Sequence, residues 1–304
     1  MKNDFQHFLE SLRVRQDKKI SLKKDFRTNY SEKIIDKKEG EEKLAEGIEN
    51  IARLQDKLYA YNGFSILIIL QAMDAAGKDS AIKHVMSSLN PRGVQVTSFK
   101  VPSAEELSHD FLWRHVRALP PRGQIGIHNR SHYENVLVTR VHPEYVLTSN
   151  LPTINSLDDI NEDFWQERFR QINRFEKNLS ENGTVIIKFF LNLSKAEQKN
   201  RFLERIDNPK KNWKFSLEDV KEREHWDKYI RAYEAMLPAT STKHSPWYVI
   251  PADDKWFAHL CISTIADRVF GNLKSEYPVP DEEKKKGLAQ AKKSLLAEGK
   301  KKKK

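Results

Sequence analysis

Residues 64–80, FSILIILQAMDAAGKDS, run from an unbroken apolar stretch through a turn of small residues into Gly77-Lys78 and a helical pattern. A strand, a tight loop, a Gly-Lys pair and a helix are how a chain cradles phosphate. Small residues let backbone N–H groups approach the anion, the helix N-terminus adds positive dipole, and the lysine adds a full charge. The spacing departs from G-x-x-x-x-G-K-[ST] in three places: Ala72 stands at the first glycine, Asp79 at the hydroxyl position, and Ser80 one place late. Asp74 adds a carboxylate to a loop suited to anions, which is unfavourable unless a metal or a proton accounts for it.

Outward from this stretch, helical and strand patterns alternate. Leu44, Ile48, Ile51, Leu54, Leu58 and Tyr61 predict an amphipathic helix over 41–61. Phe64–Leu70 does not alternate and reads as a strand buried on both faces. Further strands are predicted over 94–101, 124–128, 184–193 and 247–250, and helices after Lys78 and over 104–119, 161–179, 194–205, 217–237 and 255–270. Strands separated by helical crossovers predict a parallel five-stranded sheet inside a three-layer α/β sandwich, with the site at the carboxyl edge of the strands. Residues 1–40 read as a basic leader, 41–273 as one phosphotransferase domain of P-loop type, and 274–304 as a lysine-rich tail expected to be disordered.

The 304 residues are long enough for a full core, and 38% apolar with 32% charged residues fits a globular protein. The longest apolar run, Ile66–Leu70, is too short to span a bilayer, and residues 1–20 lack the apolar core of a secretory signal. One cysteine, Cys261, excludes internal disulfides and a cysteine-rich metal site. A cytoplasmic location with no membrane association is the expectation. The formal net charge of +10 implies an anionic partner, although part of it lies in the tail.

Three clusters could carry chemistry. In the loop, Lys78 sits where it repels the helix dipole unless an anion lies opposite; Ala75, Ala76, Gly77, Asp79 and Ser80 complete the cradle. Asp74 could hold Mg²⁺ between phosphates, orient the attacking oxygen, or cap the following helix. After the third strand come His128-Asn129-Arg130-Ser131-His132-Tyr133-Glu134. Asn129 occupies a position where P-loop enzymes often place a metal-holding Asp, so Asp74 gains weight. Arg130 is placed to neutralise charge on a transferred phosphoryl group, Tyr133 and Glu134 are candidates for the nucleotide side, and His132 is read as either mechanistic or packed. Over about 199–216, Lys199, Arg201, Arg205, Lys210, Lys211 and Lys214 outnumber Glu204 and Asp207, beside the break at Asn208-Pro209. That pattern fits an arginine-bearing helical lid.

These segments together resemble the polyphosphate kinase 2 family. The resemblance rests on Gln71–Ser80, Asn129–Glu134, Phe202–Arg205 continuing to Ser216, and Pro246–Lys255, in family order over about residues 40–270. It implies a thymidylate-kinase-like P-loop fold with a helical lid, and Mg²⁺-assisted transfer between inorganic polyphosphate and a nucleotide. It implies catalytic roles for Asp74, Lys78, Arg130 and Arg205, with Asp74 on the metal. For the polyphosphate chain the candidates are Lys78, Arg130 and Arg205, joined by Lys83, one turn past Lys78, and by Arg201, on the same helix face as Arg205. Asn129 stands where many relatives carry Asp. The Asn-Arg-Ser-His-Tyr-Glu run is similar to the class III subgroup, which accepts both AMP and ADP, and Glu134 becomes the candidate for tuning nucleotide choice. Adenine nucleotides are the expected partners, with guanine left open, and a homo-oligomer, dimer or tetramer, is expected. The rivals are an ATP-dependent nucleoside or nucleotide kinase of the same fold and a nucleic-acid-binding module. No nucleic-acid motif occurs, so no specific nucleic acid is expected.

Overall fold

The computed structural model describes residues 2–30 and 32–301. Its centre is a five-stranded, wholly parallel sheet: β1 (Ser65–Ala72), β2 (Val94–Ser98), β3 (Ile125–Asn129), β4 (Thr184–Asn192) and β5 (Trp247–Pro251). The spatial order is β2-β3-β1-β4-β5, so β1 lies between β3 and β4 and its carboxyl end opens at the middle of the sheet. Helices of six residues or more are α1 (Lys2–Ser11), α2 (Lys37–Tyr61), α3 (Lys78–Val85), α4 (Glu134–Val141), α5 (Glu162–Glu181), α6 (Lys195–Asp207), α7 (Leu217–Glu222), α8 (Trp226–Thr240), α9 (Lys255–Asn272) and α10 (Glu282–Lys301).

The pleat of β1 divides its residues between two cores. Ile66, Ile68 and Leu70 pack with Ile51, Leu58, Val85 and the α9 residues Phe257, Leu260 and Ile265. Leu67 and Ile69 pack on the opposite face with Val136, Leu137, Phe169, Ile172, Tyr233 and Met236. Every β1 residue is buried, which is why its sequence does not alternate. The expected three-layer α/β sandwich is the observed one.

Four segments differ from the sequence reading. The described residues of 1–40 are no loose leader: Phe5, Leu9, Leu12 and Val14 are buried, and Arg13 bridges antiparallel to Tyr248. Val14 N–H donates to Trp247 O and Val249 N–H to Leu12 O, so this segment covers the free edge of β5. The helix predicted over 104–119 is two single turns, Ala104–Leu107 and Trp113–Val116, because the Asp110 carboxylate accepts from Leu112 N–H and turns the chain between them. The long helix predicted over 217–237 is α7, a 3₁₀ turn and α8. The segment expected to be a disordered tail includes α10, whose described side chains, Glu282 to Glu298, are all exposed. Among the described residues no helix is long and apolar enough to cross a membrane.

Candidate phosphate-transfer site

The loop from Met73 to Gly77 leaves the end of β1 and enters α3 at Lys78. Its path depends on two left-handed residues, Ala75 (φ +62°) and Gly77 (φ +108°). Gly77 is the N-cap of α3 and offers no side-chain cap, so the first amides of the helix face the cavity uncapped. Asp74 therefore does not cap α3. Its Oδ1 instead accepts from Arg130 Nη2 at 2.6 Å.

Arg130 reaches Asp74 because its backbone N–H continues the sheet pairing to Leu70 O and its φ of +63° turns the chain sharply there. The other side of the guanidinium donates to Glu134 Oε2 at 3.0 Å, and Gln71 Nε2 donates to Glu134 Oε1 at 2.7 Å. Glu134 and Asp74 hold the Arg130 charge firmly, raising its pKa against the effect of burial. Lys78 Nζ donates to Ala72 O at 3.3 Å, a long contact. Burial and the nearby Arg130 charge lower its pKa to about 8, partly offset by Asp74, Glu134 and Asp79.

Asn129 Nδ2 donates to Asp79 Oδ1 at 2.7 Å, while its buried Oδ1 has no hydrogen-bond partner among the described residues. Asn129, Asp79 and Asp74 line one cavity. No group of three or more His, Cys, Asp or Glu residues is poised to hold a metal among the described residues. Mg²⁺ commonly takes one or two protein carboxylates and fills its octahedron with water and phosphate oxygens, so this sparse oxygen set fits it.

Two cavities meet at Asp74 and Arg130. The larger, about 660 Å³, is walled by Lys78, Lys83, Lys100, Arg205, Lys211, Lys214 and Lys255, against the acids Asp74, Asp79 and Glu204. The smaller, about 30 Å³, is lined by Glu134, Asp219, Glu222 and Arg223 with Tyr229 and Tyr233. Burial and the Asp74 charge raise the Asp219 pKa.

The structure brings together Asp74, Ala75, Gly77, Lys78, Asp79, Ser80, Lys83, Arg130, Arg201 and Arg205 around the larger cavity and places Glu134 on the smaller. Lys83 is exposed, and the Ser80 hydroxyl also meets His259 Nε2 at 3.3 Å. Arg205 is half-buried, at 3.4 Å from Lys214 O and 3.5 Å from Asp219 Oδ2. Two expected site residues are largely buried. Tyr133 is fully buried and its hydroxyl donates to Glu176, so it cannot touch a nucleotide. Arg201, expected among the polyphosphate ligands, borders the larger cavity but is buried with its donors engaged by protein oxygens. His132 is buried against Glu176, the packed alternative. Sequence reasoning missed Asp219, Arg223, Tyr229 and Lys255. Lys255 lay in the run Pro246–Lys255, but nothing local marked Asp219, which meets the site only through the turn after α6.

Comparison with known proteins agrees with this geometry. The family described as "Polyphosphate kinase 2 (PPK2)" matches residues 34–276. The "ADP-polyphosphate phosphotransferase" of Rhodopseudomonas palustris is 47% identical over 287 residues, covering 94% of this chain and 98% of that one. The "AMP/ADP-polyphosphate phosphotransferase" of Meiothermus ruber is 41% identical over 273 residues, covering 90% and 97%. A crystal structure of "Polyphosphate Kinase 2" from Arthrobacter aurescens superposes with a TM-score of 0.81 at 36% identity, covering 94% of this chain and 96% of that one.

Proposed function

This chain belongs to the polyphosphate kinase 2 family, and from that premise we propose that it moves a phosphoryl group between inorganic polyphosphate and AMP or ADP. The observation that carries the reading is the meeting of two unlike cavities at Asp74 and Arg130. A lysine-walled channel suits a repeating polyanion. The mixed-charge lining beside it, acids with two tyrosines and Arg223, suits the nucleotide once the segment carrying Asp219, Glu222 and Arg223 moves outward, because about 30 Å³ holds no more than a water, and both substrates then present phosphate to the same pair of side chains.

In the transfer, an oxygen of the nucleotide's terminal phosphate attacks the end phosphorus of the polymer in line. A new P–O bond forms as the bridging P–O bond breaks, and the shortened polymer leaves with that electron pair on its oxygen. Phosphoryl transfer needs positioning and cations more than covalent help. Lys78 and Arg130 neutralise the equatorial oxygens, and Arg205 joins them when the 199–216 segment closes as a lid. Mg²⁺ would supply further neutralisation of phosphate charge, and Asp74 and Asn129 would hold it. Ala75, Ala76, Gly77 and Asp79 present the loop, and Ser80 borders it. Glu134, held between Arg130 and Gln71, is placed to set nucleotide choice. A homo-oligomer is the proposed assembly, to be read by light scattering on the purified protein.

The test is nucleotide production from long-chain polyphosphate with Mg²⁺, offering AMP and ADP separately, in the native chain and in Asp74→Asn, Lys78→Ala and Glu134→Asn. ADP and ATP should form from AMP, and ATP from ADP. Asp74→Asn and Lys78→Ala should lower kcat by about a hundredfold or more, the scale of a lost charge-stabilising group, with folding intact by circular dichroism. Glu134→Asn should change the ratio of AMP to ADP use. Activity surviving in Asp74→Asn would remove the assignment. ATP consumption by a nucleoside monophosphate, without any use of polyphosphate, would hand the chain to the nucleotide-kinase alternative.

A further inference from the structure

We infer that Arg201 is a positioning residue that fixes the shape of the phosphate loop through backbone carbonyls, without itself touching phosphate. The inference deepens the phosphotransferase reading and rests on it for the activity readout alone. A guanidinium has five N–H donors in a rigid plane, and here all of them have partners within the chain. Nε donates to Glu197 Oε1 at 2.8 Å. Nη1 donates to Ala75 O at 3.1 Å and Ala76 O at 2.9 Å. Nη2 donates to Ala252 O at 2.6 Å and Asp253 O at 2.8 Å.

The physical need is plain. A loop that turns its N–H groups toward an anion turns carbonyls away from it, and buried carbonyls require donors. Two of those carbonyls belong to Ala75 and Ala76, and one planar cation serves both. Ala75 is also a non-glycine residue at φ +62°, a conformation that persists only where surrounding contacts determine it. The same fork ties the loop to the turn after β5, and α6 carries Arg205 one helical turn further on, at the cavity wall. Loop shape and the position of the basic rim are therefore set by one helix. A side chain with every donor engaged and 5% exposure has nothing left to offer a phosphate oxygen.

Arg201→Lys and Arg201→Met separate the two roles. A phosphate ligand would tolerate lysine and lose most with methionine. A clamp needs the planar fork, which a point ammonium cannot reproduce. Both variants should lose about a hundredfold in kcat, the effect of small misplacement at a reacting centre, and guanidinium ion in solution should restore part of it where methylammonium does not. Independently of activity, hydrogen exchange at the amides of residues 75–78 should quicken in both variants while β1 keeps its protection. Glu197→Gln, which alters only the Nε anchor, provides a milder variant that should quicken the same amides less. Lysine retaining activity within about threefold, which is under 1 kcal/mol, or unchanged exchange at 75–78, would overturn the clamp. An inactive wild type would sink the polyphosphate reading and leave the exchange measurement to decide Arg201.

Discussion

Lys78 is a charged residue that the folded protein holds at a disadvantage. Its pKa is lowered to about 8 by burial and by Arg130, so between that value and 10.5 the unfolded chain binds more protons at this position than the native one. Stability from this group accordingly rises with pH over that window, because the penalty of burying the charge is relieved. Substrate binding has the opposite sign. A phosphate chain beside Lys78 favours the ammonium and draws its pKa back up, so binding takes up a proton above pH 8. The apparent affinity for polyphosphate should therefore fall as pH rises from about 8 to 10, read as KM for polyphosphate across that range, and the trend should vanish in Lys78→Arg. The candidate side chains that a linear reading found, Asp74, Lys78 and Arg130, are those whose proposed roles follow from immediate neighbours at the strand ends. Arg201 and Arg205 share one helix face by spacing and both border the larger cavity, but Arg201 is buried with its donors on loop carbonyls while Arg205 is half-buried. Sequence spacing gives an angle about an axis and says nothing of how far that axis lies from the site.

At the level of elements, β4 carries the least expected feature, a lysine at the centre of a buried strand. Lys188 Nζ donates to Glu176 Oε2 at 2.6 Å, Tyr133 hydroxyl at 2.7 Å and Thr240 O at 2.7 Å, and so joins β4 to α5, to the start of α4 and to the end of α8. Burial alone would raise the Glu176 pKa, but Lys188 and His132 pull it down to about 2, so the pair is ionised at neutral pH. A fully paired buried couple adds little net stability, whereas removing one partner strands the other charge. Lys188→Met should lower unfolding stability by about 3–5 kcal/mol, measured by urea denaturation, and Lys188→Met combined with Glu176→Gln should recover much of it. A single-variant loss under about 1 kcal/mol, the range of exposed pairs, would mean the network is not what fixes α5 on the sheet. The elements legible in sequence were those with one dominant period or an unbroken apolar run, such as α2, β1 and β4. α1 was missed although Phe5, Phe8, Leu9 and Leu12 follow helical spacing. Its ten residues are too few to hold as an isolated helix, and it is held by packing Phe5 and Leu9 into the core and Phe8 against Phe257 of α9.

Across the whole molecule, the charge of +10 announced an anionic partner without locating it. Part of that excess is on α10 and the residues after it; another part converges on the larger cavity from α3, the turn after β2, the 199–216 segment and the start of α9. The phosphate cradle was legible in one segment, but the lysine wall was not, because its lysines come from four places that only the parallel topology brings together at the carboxyl edge of the sheet. The smaller cavity balances its arginines with Glu134, Asp219 and Glu222. The two substrates should consequently respond differently to ionic strength. Screening shortens from about 10 Å at 0.1 M salt to about 3 Å at 1 M, which cuts attraction summed over many partly exposed lysines while sparing close contacts made in a narrow, mixed-charge space. Raising salt over that range should increase KM for long-chain polyphosphate several-fold more than KM for ADP. Lys83→Gln combined with Lys214→Gln should reduce the salt dependence for polyphosphate and leave that for ADP in place. Equal salt responses for both substrates would mean that the cationic wall does not recognise the polymer, and that the excess charge serves α10 and the surface instead.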